Sequence, residues 1–166
     1  MATIEDLKGI FAGKPPAQPD RYRIKIEGLN RDGDILCQAV NLPGRQITTN
    51  PRTIGMLTQK MPYGFIFDDV SLTFLLDGEY TVKNYFEDWQ EEIIGFNTYE
   101  LEYKDTYTKQ VEIEQLDKES EKVIYGVKLK GAYPVTILPI ELGDANANQI
   151  TQVNVQLAFT DWERTT

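Results

Sequence analysis

No histidine occurs among the 166 residues of this chain, so Ser-His-Asp and Cys-His couples and imidazole-based metal sites are excluded outright. The single cysteine, Cys37, lies in ILCQAV, where a small core side chain is a simpler reading than a nucleophile, and it has no partner for an internal disulfide. DANAN at 144–148 has the opening of a calcium loop, but Gln149 stands where the turn glycine belongs and Val155 where a bidentate glutamate belongs. A polar turn accounts for it. GIFAGK at 9–14 is one residue short between its glycines for a phosphate loop and follows no strand. Among 26 acidic residues no spacing selects an acid/base couple. The sequence therefore offers no catalytic, cofactor-binding or metal-binding residue, and a non-enzymatic function is expected.

The elements that would carry any other function are mostly strands. The length fits one domain with a real core. A net charge of -9 argues against tight binding to phosphates, which needs clustered Lys and Arg. No apolar run approaches the roughly 20 residues of a membrane span, and the acidic N-terminus lacks the basic end of a signal peptide, so export by that route is not expected. Thr3 is a candidate N-cap for a short helix over 3–12 with Ile4, Leu7 and Phe11 on one side, before the run KPPAQP. Residues 1–19 read as an N-terminal arm and residues 20–166 as the domain.

Within that domain RYRIKIEGL sets Tyr22, Ile24 and Ile26 against Arg21, Arg23, Lys25 and Glu27 with strand periodicity. Asp32-Gly33 marks a turn into a strand ILCQAVNL, and RQITTN is a candidate continuation of a hairpin. Residues 50–67 mix Pro, Gly and apolar groups without a period, and a long loop is expected. DVSLTFLL puts Val70, Leu72, Phe74 and Leu76 on one face. Val82, Tyr85, Phe86, Trp89 and Ile93 then follow helical spacing, with Gly95 as the stop and Trp89 as core. YPVTILPIEL and QITQVNVQLAFTDW supply further strands, the second ending on Trp162, whose role stays open. The expected fold is mainly β, an antiparallel sandwich or barrel of about eight strands with one flanking helix.

The segment VEIEQLDKESEKVIYGVKLKG, 111–131, fits a hairpin better than a helix, because its apolar residues keep period 2 on both sides of a polar turn. Glu112, Glu114, Lys128 and Lys130 share the other face. A solvated surface is one reading of that face; a surface with a specific neighbour is the other.

CQAVNLPGRQI, KMPYG, DDVSLTFLLD, YFEDWQEEI, KLKGAYPVTILPIEL and ITQVNVQLAFTDWE, taken in this order, resemble the tail tube proteins of contractile-tailed bacteriophages over roughly residues 20–163. The resemblance implies a structural virion protein whose β-sandwich subunits form hexameric rings through closure of their sheets. The rings would stack into an inner tube that delivers the genome after sheath contraction. It implies as partners further copies of the chain, the tail sheath protein, the tape measure protein, and the baseplate and tail terminator proteins. DNA would pass through the lumen without specific binding, and the tail would assemble in the host cytoplasm. Related tubes in phage-derived injection particles carry other cargo, so that function is an alternative.

Under this resemblance Glu112, Glu114, Lys128 and Lys130 would turn towards a water-filled pore, and a hairpin around 34–49 would add Gln38 to the same lining. Met56, Leu57, Met61, Tyr63, Phe65 and Ile66, too apolar for a free loop, would reach a neighbouring subunit together with Ile4, Leu7 and Phe11 of the arm. From another functional class, a monomeric β-sandwich binding module would use Tyr99, Tyr103 and Tyr107 as a glycan or peptide surface.

Overall fold

A computed structural model describes residues 17–117, 120–143 and 149–165, together with Ile4 and Lys8. Leu7, Phe11 and the DANAN turn lie outside the described residues; Ile4 has helical backbone and an exposed side chain. The elements are β1 (Tyr22–Ile26), α1 (Arg31–Ile35), β2 (Cys37–Val40), β3 (Gln46–Ile54), β4 (Leu57–Ile66), β5 (Val70–Leu75), α2 (Thr81–Ile93), α3 (Lys104–Tyr107), β6 (Lys109–Leu116), β7 (Val123–Ile137), β8 (Gln152–Ala158) and β9 (Asp161–Arg164). Among the described residues there are thus nine strands and three helices, two of them a turn or so long.

All pairings are antiparallel, and one sheet path runs β1-β6-β7-β8-β5-β2, with β9 on the free side of the first part of β7. The 15 residues of β7 serve three partners: β6 up to Ala132 and β9 from Val127 to Lys130, then β8 from Tyr133. Gly131 is the corner. Its φ of +63° is open to glycine at no steric cost, and a Cβ there would meet Thr160 Oγ1 at 2.7 Å. The bend folds the sheet over its own apolar side as a sandwich that does not close into a barrel. The two ends of the path still meet at one point, where Tyr22 Oη donates to the Cys37 carbonyl at 3.0 Å.

Strand alternation supplies the core. Ile24, Ile26, Val70, Leu72, Phe74, Val111, Ile113, Val127, Leu129, Val153, Val155 and Leu157 are buried from five strands, each burial contributing about 1.5–3 kcal/mol for the larger side chains. The helix α2 adds Val82, Phe86, Trp89 and Ile93 at the expected spacing, with Phe86 against Phe74 at 5.5 Å between ring centroids. Asp77 holds the start of α2 by accepting from the Thr81 N–H at 2.8 Å and hydroxyl at 2.6 Å, and these bonds lower its pKa. The end of α2 differs from expectation: Ile94 turns to extended backbone before Gly95, whose own φ is not left-handed.

Three larger expectations are corrected. Residues 50–67 are not a loop; they belong to the hairpin β3–β4, turned at Gly55 with φ +66°. Among the described residues neither strand packs extensively on another element, so no buried face imposes an alternation, and Pro51 and Pro62 are tolerated because both edges of the two-stranded ribbon are open there. No hairpin forms over 34–49, because β2 pairs with β5 and β3 with β4, and Asp32-Gly33 lie within α1 rather than in a strand turn. YPVTILPIEL is not a separate strand, since Tyr133 to Ile137 continue β7.

Candidate functional site

The 111–131 hairpin forms as expected, with Glu112 opposite Lys128 and with Val111, Ile113, Val127 and Leu129 in the core. Its strands are interior, since β1 flanks β6 and β9 flanks β7. The charged face therefore extends across four strands. Within their bounds it carries Arg23, Lys25, Lys128 and Lys130 against Glu112, Glu114, Asp161 and Glu163, four cations for four anions. A chain of net charge -9 thus presents one face that sums to zero.

The charges on it are paired. Glu114 lies between Arg23 Nε at 3.1 Å and Lys25 Nζ at 3.0 Å, and Glu112 between Lys128 Nζ at 3.6 Å and Lys25 Nζ at 3.9 Å. Lys130 Nζ meets Glu163 at 2.6 Å, a bond that raises the Lys130 pKa and holds the ammonium charged. Exposed pairs of this kind stabilise by only about 0–1 kcal/mol each, so their consequence is for what the face can bind. A phosphate arriving here finds every ammonium and guanidinium on the face already beside a carboxylate.

Gln38 is on none of these four strands. It stands on β2, at the far end of the strand path, exposed beside a cavity that Glu114 and Gln115 also line. Arg23 and Lys25 were legible as the polar side of a strand, but only the order β1-β6-β7-β9 makes them neighbours of Glu112 and Glu114. Asp161 and Glu163 sit on a four-residue strand split from β8 by Phe159 and Thr160.

A second surface is the β3–β4 hairpin. Met56 is fully exposed at its tip, and Ile47, Ile54, Leu57, Met61, Tyr63, Phe65 and Ile66 are exposed along it. An isolated two-stranded ribbon is marginal in water, and an apolar patch of this extent marks a contact. The ribbon is fixed at its root by Arg45, whose guanidinium lies 5.5 Å from the Phe65 ring, 5.4 Å from Phe67 and 5.0 Å from Trp162. Arg45 also reaches Asp161 at 3.6 Å. Trp162, half-buried against Leu129, is the wall of this joint. Arg45→Ala is expected to cost about 1–2 kcal/mol through lost cation–π contacts and to shift Trp162 fluorescence, with Arg45→Lys intermediate. Limited proteolysis and emission spectra check it; unchanged spectra and cleavage would show that the joint does not hold the ribbon.

Other candidates do not assemble into sites. Burial pushes the Cys37 thiol up to about 12, and it donates weakly to the Ala39 carbonyl at 3.5 Å, so no thiolate nucleophile exists near neutral pH. Trp89 is core, with its Nε1–H donating to the Tyr107 carbonyl at 2.7 Å. Tyr107 packs edge-on against Tyr133 while Tyr99 and Tyr103 face solvent, so the three do not make one binding surface. Among the described residues no His, Cys, Asp and Glu cluster could hold a metal ion.

Relatives of this chain share its dimensions and fold. The tail tube protein of Enterobacteria phage T4 is 24% identical over 169 aligned residues, covering 96% of this chain and 99% of the relative; that of Enterobacteria phage T6 is also 24% identical. A solved chain from the sheath-tube complex of an extracellular contractile injection system superposes with a TM-score of 0.70 at 14% identity, covering 100% of this chain and 99% of that one. A chain from the tube-terminating cap of the anti-feeding prophage gives 0.71 at 16% identity, covering 92% and 93%. These two likenesses establish the fold. Residues 16–165 match the family described as phage tail tube protein, and the chain belongs to that family.

Proposed function

We propose that copies of this chain close into hexameric rings, stacked as the inner tube of a contractile phage tail, with the β1-β6-β7-β9 face lining the lumen and the genome passing along it. The observation that carries this reading is the balanced face. A duplex moving through a narrow tube must not be held, and each phosphate neutralised by a fixed cation would add counterion-release affinity. Here the cations are already paired with Glu112, Glu114 and Glu163. The protein is structural and performs no reaction.

The remaining surfaces take their roles from the same assembly. Met56, Leu57, Met61, Tyr63 and Phe65 of the ribbon, with Ile4, Leu7 and Phe11 of the arm, contact neighbouring subunits; the arm of residues 1–19 stands outside the domain of 20–166. The tail sheath protein surrounds the tube, the tape measure protein occupies it before DNA does, and baseplate and terminator proteins cap its ends. Solved chains of this fold from a sheath-tube complex and a terminating cap support the sheath and terminator partners. Assembly takes place in the host cytoplasm and the product is part of the virion.

Electron microscopy of the purified protein tests the reading. Rings or tubes are expected, together with no retardation of duplex DNA at moderate salt. Discrete single-subunit particles under all assembly conditions, or submicromolar salt-dependent DNA binding, would overturn it.

A further inference from the structure

Among the described residues the half-sheet β1-β6-β7-β9 has two open edges, because there β1 pairs only with β6 and β9 only with β7. Its strands alternate in direction, so β1 and β9 run oppositely. Copies repeated by rotation around a ring bring the β9 edge of one beside the β1 edge of the next as an antiparallel pair. The two edges differ in charge on the lining face: β1 offers Arg23 and Lys25, and β9 offers Asp161 and Glu163, all about half exposed.

Backbone geometry narrows the register. The Glu27 N–H donates to the Gln110 carbonyl and the Leu116 N–H to the Arg21 carbonyl, so odd-numbered residues of β1 bond inward to β6. By the alternation of an antiparallel ladder, Tyr22 and Ile24 then direct their N–H and C=O groups to the open edge. The Thr165 N–H donates to the Gly126 carbonyl, which leaves Trp162 and Arg164 directed outward on β9. Outward groups must meet outward groups, and this also keeps the charged face continuous and the apolar face continuous.

We propose that the ring seam is the antiparallel pairing of β1 with β9 of the next copy, with Ile24 opposite the partner subunit's Trp162 and Tyr22 opposite the partner subunit's Arg164. This seam rests on the ring reading above. Lys25 then faces the partner subunit's Asp161, and Arg23 the partner subunit's Glu163. A shift of two residues one way puts Glu27 against the partner subunit's Asp161, two like charges. A shift the other way moves the end of β9 past the start of β1. The chosen register keeps all four residues of β9 opposite residues 22–25. A groove of about 650 Å³ runs there, lined by Tyr22, Ile24, Lys25, Asp34, Ile35 and Cys37. The Asp34 carboxyl in its lining accepts from the backbone N–H of Ile26. Arg23 thereby gains a second carboxylate and Lys25 a third, and the balanced ladder continues from copy to copy.

Cysteine pairs read the register directly. In this seam Lys25 and the partner subunit's Asp161 form a non-hydrogen-bonded pair, the closer kind, within disulfide reach. Tubes of Lys25→Cys/Asp161→Cys, oxidised and then denatured without reductant, should give a cross-linked ladder, while Glu27→Cys/Asp161→Cys tubes should give at least tenfold less. Tubes that stay monomeric at 25/161, or that link equally at 27/161, would overturn the seam and leave the ring reading standing. If the wild-type chain forms no ring at all, the ring reading falls with it. A charge swap guards against an assembly-defective cysteine variant. Arg23→Glu/Lys25→Glu should raise the concentration needed for rings at least tenfold, and adding Asp161→Lys/Glu163→Lys should restore it; failure to restore in a chain that still folds would also overturn the seam.

Discussion

Replacing Glu112 and Glu114 with Lys is expected to leave tails of normal length and a contractile sheath, yet to reduce infectivity by orders of magnitude. Two charges of -1 become two of +1, so each chain moves from -9 to -5 and the lining face from four cations and four anions to six and two. Arg23, Lys25 and Lys128 lose their carboxylates and gain ammonium neighbours. Lost surface pairs and new repulsion amount to about 1–3 kcal/mol, less than the ~5–15 kcal/mol by which a domain is normally stable, so folding survives. On the proposed lumen assignment the tube then gains unpaired cations along its whole length, and affinity for DNA rises with each phosphate contacted. Purified variant tubes should retain duplex DNA at low salt and release it as salt rises. Glu112→Gln/Glu114→Gln, which removes carboxylates without adding cations, should lie between. Normal tails with normal genome delivery would place this face away from the DNA path, and failure to form rings would place the two glutamates in a subunit contact.

The largest effect on folding is expected at Trp89. Its ring is fully buried, stacked 6.1 Å from Phe86 and 5.9 Å from Tyr85, with Lys109 Nζ 4.7 Å from its centroid. Its Nε1–H satisfies the Tyr107 carbonyl and so ties α2 to the residues just before β6. Trp89→Ala removes this side chain and leaves a cavity, at a cost of about 3–5 kcal/mol, a large share of the stability of a domain this size. The variant should be insoluble or unfold at a much lower denaturant midpoint. Trp89→Phe keeps much of the volume but orphans the Tyr107 carbonyl, for about 1–3 kcal/mol. Chemical denaturation checks both; a loss below about 1 kcal/mol for Trp89→Ala would mean that α2 is not anchored by this ring.

Where a strand has one dry face, its residues announced it. Val111, Ile113, Val127 and Leu129 alternate with Glu112, Glu114 and Lys128 because the sandwich interior lies on one side and water on the other, and the same holds for β5, β8 and the period of α2. Among the described residues the β3–β4 ribbon has no dry face, so Met56, Leu57, Phe65 and Ile66 follow no period and 50–67 read as a loop. Its apolar excess was legible, but its shape was not. The site was half legible for a different reason. Glu112, Glu114, Lys128 and Lys130 share a hairpin, whereas Arg23 and Lys25 join them from far along the chain and Asp161 and Glu163 from a strand too short to show a period. Strand order is a long-range fact that local alternation does not encode. Arg45 is missed for the same reason, since Phe65, Phe67 and Trp162 converge on it only in three dimensions.

A reconstruction of the assembled tube by electron cryomicroscopy tests the central claim most directly. Rings of six copies are expected, in which Arg23, Lys25, Glu112, Glu114, Lys128, Lys130, Asp161 and Glu163 border the lumen on one continuous sheet and the β3–β4 ribbon is covered by a neighbouring subunit. A tube whose lumen is bordered by other residues, with this charged face turned outward to the sheath or buried between stacked rings, would contradict it.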